Sequence, residues 1–172
     1  MEAGRGSTFL IVLAACAGVF VWTTGSGLPD IVASHFGTSG APNGSMPRTV
    51  YLIFMLAFVA GLPLALTLLT GIALGRPGAR INVPHRDYWL GPERRDETVA
   101  FLRRQFVRFS SMLVVFLCYV HWLVVRANAV QPPILATPWL IGGLVVFLIA
   151  SAAWAISMIG HFRRPPFRGR SR

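Results

Sequence analysis

The chain has 172 residues, of which 54% are hydrophobic and only 13% charged, and its mean hydropathy is +0.60. A soluble domain of this length needs more polar surface, so the composition excludes one and indicates an integral membrane protein. All 16 basic residues are arginine and the formal charge is +10; these arginines flank apolar runs, so membrane topology explains them more simply than nucleic-acid binding does.

Four segments are long and apolar enough to cross a bilayer core, which takes about 20 residues of helix. They cover residues 8–25, 50–74, 109–125 and 140–160. The first contains "LAAC" ending at Cys16, which resembles a lipoprotein cleavage box. The chain stays apolar after it ("AGVFVW"), so the segment is read as a retained helix. Cys16 and Cys118 both fall inside spans at similar depth, as two inert thiols or, less simply, as a pair. Neither sits in metal-type cysteine spacing, and no metal or cofactor is expected.

Between the first two spans lies the loop 26–48, with "LPDIVASHFGTSGAPNG" at its centre. Pro42 and Asn43-Gly44 are turn chemistry, the asparagine-glycine pair permitting positive φ, so the loop is shaped rather than slack. Asp30 and His35 are its titratable groups. Two readings stand for them: a hydrogen-bonded histidine holding the loop with Asp30 capping a short helix, or a site that binds a ligand or senses pH. In the second span Pro63 removes a backbone donor and marks either a packing bend or a hinge.

The stretch 76–108 is basic and patterned. Pro92 suits a first helical position, with Glu93, Asp96 and Glu97 following where the helix dipole favours acids. Val99, Leu102, Phe106 and Phe109 make one apolar stripe, which predicts an amphipathic helix running into the third span. Tyr88 and Trp89 are expected at headgroup level. "HRD", 85–87, lacks the context of a kinase catalytic loop, and no nucleophile elbow, zincin or phosphate-loop motif occurs. No enzyme activity is expected.

In the third span His121 lies about 18 Å from Phe109 at about 1.5 Å per residue, with Arg126 one turn further on. An ionisable residue inside a span is a functional hypothesis by default, and Asp30, His35, His121 and Arg126 are expected to be able to converge. "IGG", 141–143, offers a close-packing face on the fourth span. Residues 161–172 form a basic tail.

With the N-terminus inside, fourteen of the sixteen arginines are cytoplasmic and only Arg48 and Arg126 are outside, as the positive-inside rule requires. Both termini are then cytoplasmic and the loop 26–48 is extracytoplasmic. The expected fold is all-α, with four spans plus the amphipathic cytoplasmic helix. It divides into a module 1–75, a basic loop 76–108, spans three and four at 109–160 and the tail 161–172. Arg94, Arg95, Arg103, Arg104, Arg108, Arg163 and Arg164 are candidates for contact with anionic lipid at the cytoplasmic face, at roughly 1 kcal/mol each.

The pattern Leu28-Pro29, His35-Phe36, Gly40-x-Pro42, Asn43-Gly44, followed by a membrane helix, resembles a bacterial membrane family of unknown function. Its module also forms the N-terminal part of SdpI-type toxin-immunity proteins. The resemblance covers about residues 8–75, and 81–98 is similar to the cytoplasmic loop of a proteobacterial branch. Ala33, Gly37 and Asn43 depart from the commoner proline, asparagine or aspartate, and aspartate of that family, and the second half is unlike the SdpI-type C-terminal half. The resemblance implies a multi-pass protein of a bacterial inner membrane with an immunity-like or signalling role. Recognition of a peptide or envelope component would fall to Pro29, Asp30, His35, Phe36, Gly40, Pro42, Asn43 and Gly44, with His121 and Arg126. The alternative is an accessory subunit with a protein partner in the membrane.

Overall fold

The computed structural model describes residues 2–76 and 80–163, with the side chains of 2–4 left aside. In chain order it contains α1 (Glu2–Gly25), β1 (Ile31–Phe36), β2 (Pro42–Pro47), α2 (Arg48–Leu56), a π-helical turn (Ala57–Gly61), α3 (Leu62–Gly75), a short α4 (Arg86–Trp89), α5 (Arg95–Asn128) and α6 (Thr137–Phe162). Four helical stretches are long and apolar enough to cross a membrane: 5–25, 48–75, 95–128 and 137–162. The chain is therefore read as a multi-pass membrane protein. Cys16 and Cys118 are free thiols.

The expectation of an all-α chain is corrected in the first connection. β1 and β2 pair antiparallel, with Val32 opposite Met46, Ala33 opposite Ser45 and His35 opposite Gly44, and the register slips on both sides of His35. β1 has the β-branched start of a strand, but β2 reads "PNGSMP", with little strand preference and two prolines that cannot donate to a ladder. The turn also differs from expectation. The positive φ falls at Gly40 (82°) and not at Asn43-Gly44, which lie within β2.

The second span is one crossing in three parts. Pro63 has no N–H for the carbonyl of Val59 four residues back, and its ring crowds that carbonyl. The π-helical turn just before it relieves this: Leu62 N–H reaches Ala57 O, five residues back. Both Val59 and Pro63 are buried, so the irregularity packs against the bundle.

α5 is the central helix. It runs unbroken for 34 residues and starts at Arg95, three residues later than Pro92 suggests, because 92–94 form a turn. Its buried positions Ser110, Val114, Leu117, His121, Val124 and Asn128 follow a helical period and make one inward stripe. Leu10, Val21, Tyr51, Met55 and Val59 pack against it from α1 and the second span. On its other side α5 meets α6 through aromatic rings: Phe116 stacks on Phe147 at 4.4 Å, Phe109 lies 4.9 Å from Trp154 and Phe101 lies 3.8 Å from His161.

At the end of that seam Tyr119 packs closely against Gly143. A Cβ there would stand 2.2 Å from the Tyr119 ring, so only glycine permits this approach. Tyr119 also donates to Trp139 O at 2.7 Å. Gly143→Ala is expected to lower the stability of the detergent-solubilised protein by about 1–3 kcal/mol, the usual cost of overpacking, whereas Gly142→Ala, which meets nothing within 4 Å, should leave it unchanged. Thermal denaturation of the two variants side by side checks this.

Candidate functional site

The hairpin and the helix ends beneath it form the candidate site. A two-stranded sheet is marginal by itself, and here three anchors hold it. The first is Asn128, the last residue of α5 and buried. Its Oδ1 accepts from Ala33 N–H and its Nδ2 donates to Ala33 O, both at 2.9 Å, while the second amide hydrogen goes to Val124 O at 2.9 Å. One side chain thus supplies Ala33 with the donor and acceptor that a neighbouring strand would supply.

The second anchor is Arg48, at the junction of β2 and α2. Its guanidinium donates to Leu28 O at 2.6 Å and to Ser26 O at 3.4 Å and pairs with Asp30 at 3.0 Å, while its backbone N–H bonds Asp30 O at 2.8 Å. Asp30 therefore pairs with an arginine and does not cap a helix. The third anchor is the Gly40 turn: Gly40 N–H closes onto Gly37 O, and Leu135 N–H, from the segment before α6, donates to Gly40 O at 2.9 Å. A Cβ on Gly40 would sit 2.3 Å from Leu135 O, so both the positive φ and the close approach demand glycine.

Beneath the hairpin lies a polar knot. His121 is fully buried, with Nε2 2.9 Å from Thr24 Oγ1 and Nδ1 2.9 Å from the Tyr51 hydroxyl. The Thr24 hydroxyl hydrogen is already donated to Phe20 O at 2.6 Å. Nε2 must therefore carry the proton it shares with Thr24, and Tyr51 donates to Nδ1. Phe20 closes edge-on at 5.8 Å and Tyr51 stacks at 5.7 Å. The imidazole joins α1, α2 and α5, with no nitrogen left for a ligand or metal. An ionisable residue in a span is here a tie between helices, with both ring nitrogens paired to hydroxyls.

The expected convergence does not form. Asp30 pairs with Arg48, His35 is exposed with Nδ1 3.2 Å from Ser34 Oγ, and Arg126 lies over the Trp122 ring at 5.7 Å. Among the described residues no hydrogen bond or ion pair links these groups to one another or to His121, and no cluster of histidine, cysteine and acidic side chains could hold a metal. What the loop candidates share is the hairpin: Pro29, Asp30, His35, Pro42 and Asn43 are exposed, Phe36 and Gly44 half-buried and Gly40 buried. His35 packs across Gly44, where a Cβ would meet the histidine Cβ at 3.2 Å.

Of the arginine candidates, Arg94 lies over Tyr88 at 4.5 Å. Arg95 donates to Arg76 O at 3.1 Å and Arg103 to Gly71 O at 3.0 Å, where they satisfy carbonyls at the C-terminal end of α3. Arg104 and Arg108 line a groove on the other side of α5, Arg163 is exposed, and Arg164 lies outside the described residues.

Asn128 and Arg48 were absent from the sequence-based site. Asn128 had one readable signal: it stands seven residues after His121, two turns on, on the same face of an apolar helix. Arg48 figured only in the arginine count.

Residues 9–61 match a domain of unknown function (DUF1648); that stretch comprises most of α1, the hairpin and the first half of the second span. No curated protein and no solved structure matches the chain. The match assigns no activity and says nothing of an immunity role.

Asn128→Ala is expected to leave the amide and carbonyl of Ala33 without partners, at about 1–3 kcal/mol for each group left buried, and to loosen the hairpin before the bundle. Limited proteolysis should then cut between Phe36 and Pro42 several times faster than in the wild type, with helical circular dichroism unchanged. His121→Phe keeps an aromatic ring but strands the Tyr51 hydroxyl and crowds a fully buried position; it should cost about 1–3 kcal/mol of bundle stability, read as a lowered unfolding temperature.

Proposed function

We propose that this is a non-enzymatic recognition protein of a bacterial inner membrane, with both termini in the cytoplasm and the hairpin on the outer face. The single observation that supports recognition is that the hairpin is pinned at three points yet keeps an exposed polar surface. Asn128, Arg48 and Leu135 hold its backbone, while His35 and Asn43 face outward. A preorganised surface spends little of its binding free energy on ordering itself. The non-enzymatic reading is supported by the pairing of several span hydroxyls with neighbouring groups: Thr67 donates to Ser110 Oγ, Thr70 to Leu66 O and Tyr119 to Trp139 O. The orientation rests on the arginines, with Arg48 and Arg126 at the hairpin end and the other arginines among the described residues at the opposite end.

The ligand this reading favours is a peptide or envelope component, in an immunity-like or signalling role, as the resemblance to the N-terminal module of SdpI-type proteins suggests. Cells carrying the wild-type protein should withstand a membrane-active peptide better than cells lacking it. The double variant His35→Ala/Asn43→Ala should lose that protection at unchanged protein level. Protection equal to the wild type would sink this reading.

A further inference from the structure

A groove of about 860 Å³ runs between α1 and α6 along one face of α5, at the end of the bundle away from the hairpin. Its apolar lining is Val107 and Met112 from α5, Phe9 from α1 and Trp154 from α6, with Ser7, Ser111 and Ser157 beside them. Trp154 is fixed there, because its Nε1 donates to Gln105 O at 3.0 Å. α1 comes down beside α5 at this level, where a Cβ on Gly6 would meet Val107 Cγ1 at 3.7 Å. The rim is cationic. Arg5 from α1 lines it together with Arg103, Arg104 and Arg108 from α5, of which Arg104 and Arg108 stand one helical turn apart on the same side of that helix.

Among the described residues the one ion pair is Arg48 with Asp30, at the opposite end of the molecule. Beyond the rim the apolar seam continues along the bundle with Met112 and the exposed Val115 on α5 and the exposed Phe9, Val12 and Val19 on α1. Three guanidiniums above a long apolar seam match one chemistry, an anionic headgroup carrying an acyl chain. Guanidinium pairs with phosphate oxygens through parallel hydrogen bonds, and the chain lies along the seam where α1 and α6 leave α5 uncovered.

We propose that this groove is a binding site for one anionic phospholipid, its phosphate held by Arg5, Arg104 and Arg108 and one acyl chain packed between α1 and α6 against Trp154. The site is distinct from the hairpin, and its charge complementarity holds in either orientation of the protein.

The test is native mass spectrometry of the purified full-length protein after exchange into phosphatidylglycerol or phosphatidylcholine, with inorganic phosphate as a further arm. The wild type should retain one phosphatidylglycerol, release phosphatidylcholine, and show no binding of inorganic phosphate alone. Arg104→Gln/Arg108→Gln should weaken retention roughly tenfold or more, the loss expected when two charge-assisted hydrogen bonds go. Arg80→Gln/Arg86→Gln removes the same charge outside the groove and should retain the lipid. Should the first double variant fail to fold by circular dichroism, Arg5→Gln, on a different helix, carries the same expectation. Equal loss in both double variants would reduce the effect to diffuse surface charge and overturn the proposal. Equal retention of the two lipids, or phosphate binding as tight as lipid binding, would overturn it as well.

Discussion

The amide of Asn128 is the contact on which the hairpin end depends. A strand that lies on a helix bundle has a backbone that the bundle cannot normally satisfy, because helical N–H and C=O groups are already paired. A carboxamide is one of the few side chains able to present a donor and an acceptor side by side. Placed at the last residue of α5, it meets Ala33 as a third strand would, at 2.9 Å in both directions. Val32 is then driven into the core at 0% exposure, and the direction of β1 is set. β2 has few means of holding a place for itself and takes its register from β1. Arg48 and the Gly40 turn complete the closure by binding carbonyls at the hairpin's two margins.

The same face of α5 carries two further polar ties. Ser110, His121 and Asn128 stand at helical spacings of eleven and seven residues, so they form one line. Each bonds a different element: Ser110 receives Thr67 of α3, His121 joins α1 and α2, and Asn128 holds β1. Where apolar side chains gain little by leaving lipid for protein, helix packing draws on close contact and on such bonds. The bonds are directional, so they also fix rotation and axial position, which greasy surfaces alone leave free. α6 has no member of this line. It is held against α5 by rings, by the close approach at Gly143 and by the bonds of Tyr119 to Trp139 O and of Trp154 to Gln105 O, and much of its surface stays exposed, with Val146 at 68% and Ile156 at 71%.

The parts of the fold legible in the sequence were those governed by composition over a long window. Four apolar runs, each near bilayer length, name four helices without knowledge of their neighbours. The hairpin was not legible, because its second strand exists by partnership: "PNGSMP" has turn residues where strand residues would be expected, and Asn43-Gly44 has the composition of a tight turn. Contact with α5 and with 131–136 moves the turn to Gly40 instead. The polar residues posed the same difficulty in reverse. His121 advertised itself as an ionisable group inside a span, yet whether it faces a cavity or two hydroxyls depends on Thr24 and Tyr51, which lie 97 and 70 residues away. Asn128, at the end of a helix, reads locally as a residue of any helix terminus.

The two ends of the molecule differ in how their charges are disposed, and the difference bears on how each meets its surroundings. At the hairpin end Arg48 is consumed internally by two carbonyls and a carboxylate, and Arg126 lies on an indole. Little cationic charge is left to attract polyanions there, so what that surface offers is shape and neutral hydrogen-bonding groups. At the basic end Arg95 and Arg103 are spent on helix carbonyls, whereas Arg5, Arg104 and Arg108 surround an apolar groove. A guanidinium on a flexible stem can point into water at little cost, so exposure alone implies nothing. The groove changes the balance. Water over an apolar seam gains nothing there, whereas an amphiphile with a phosphate satisfies the charges and covers the seam at once. The chain therefore keeps its order at one end by using its polar groups on itself, whereas at the other Arg5, Arg104 and Arg108 stand beside the groove proposed to take a lipid.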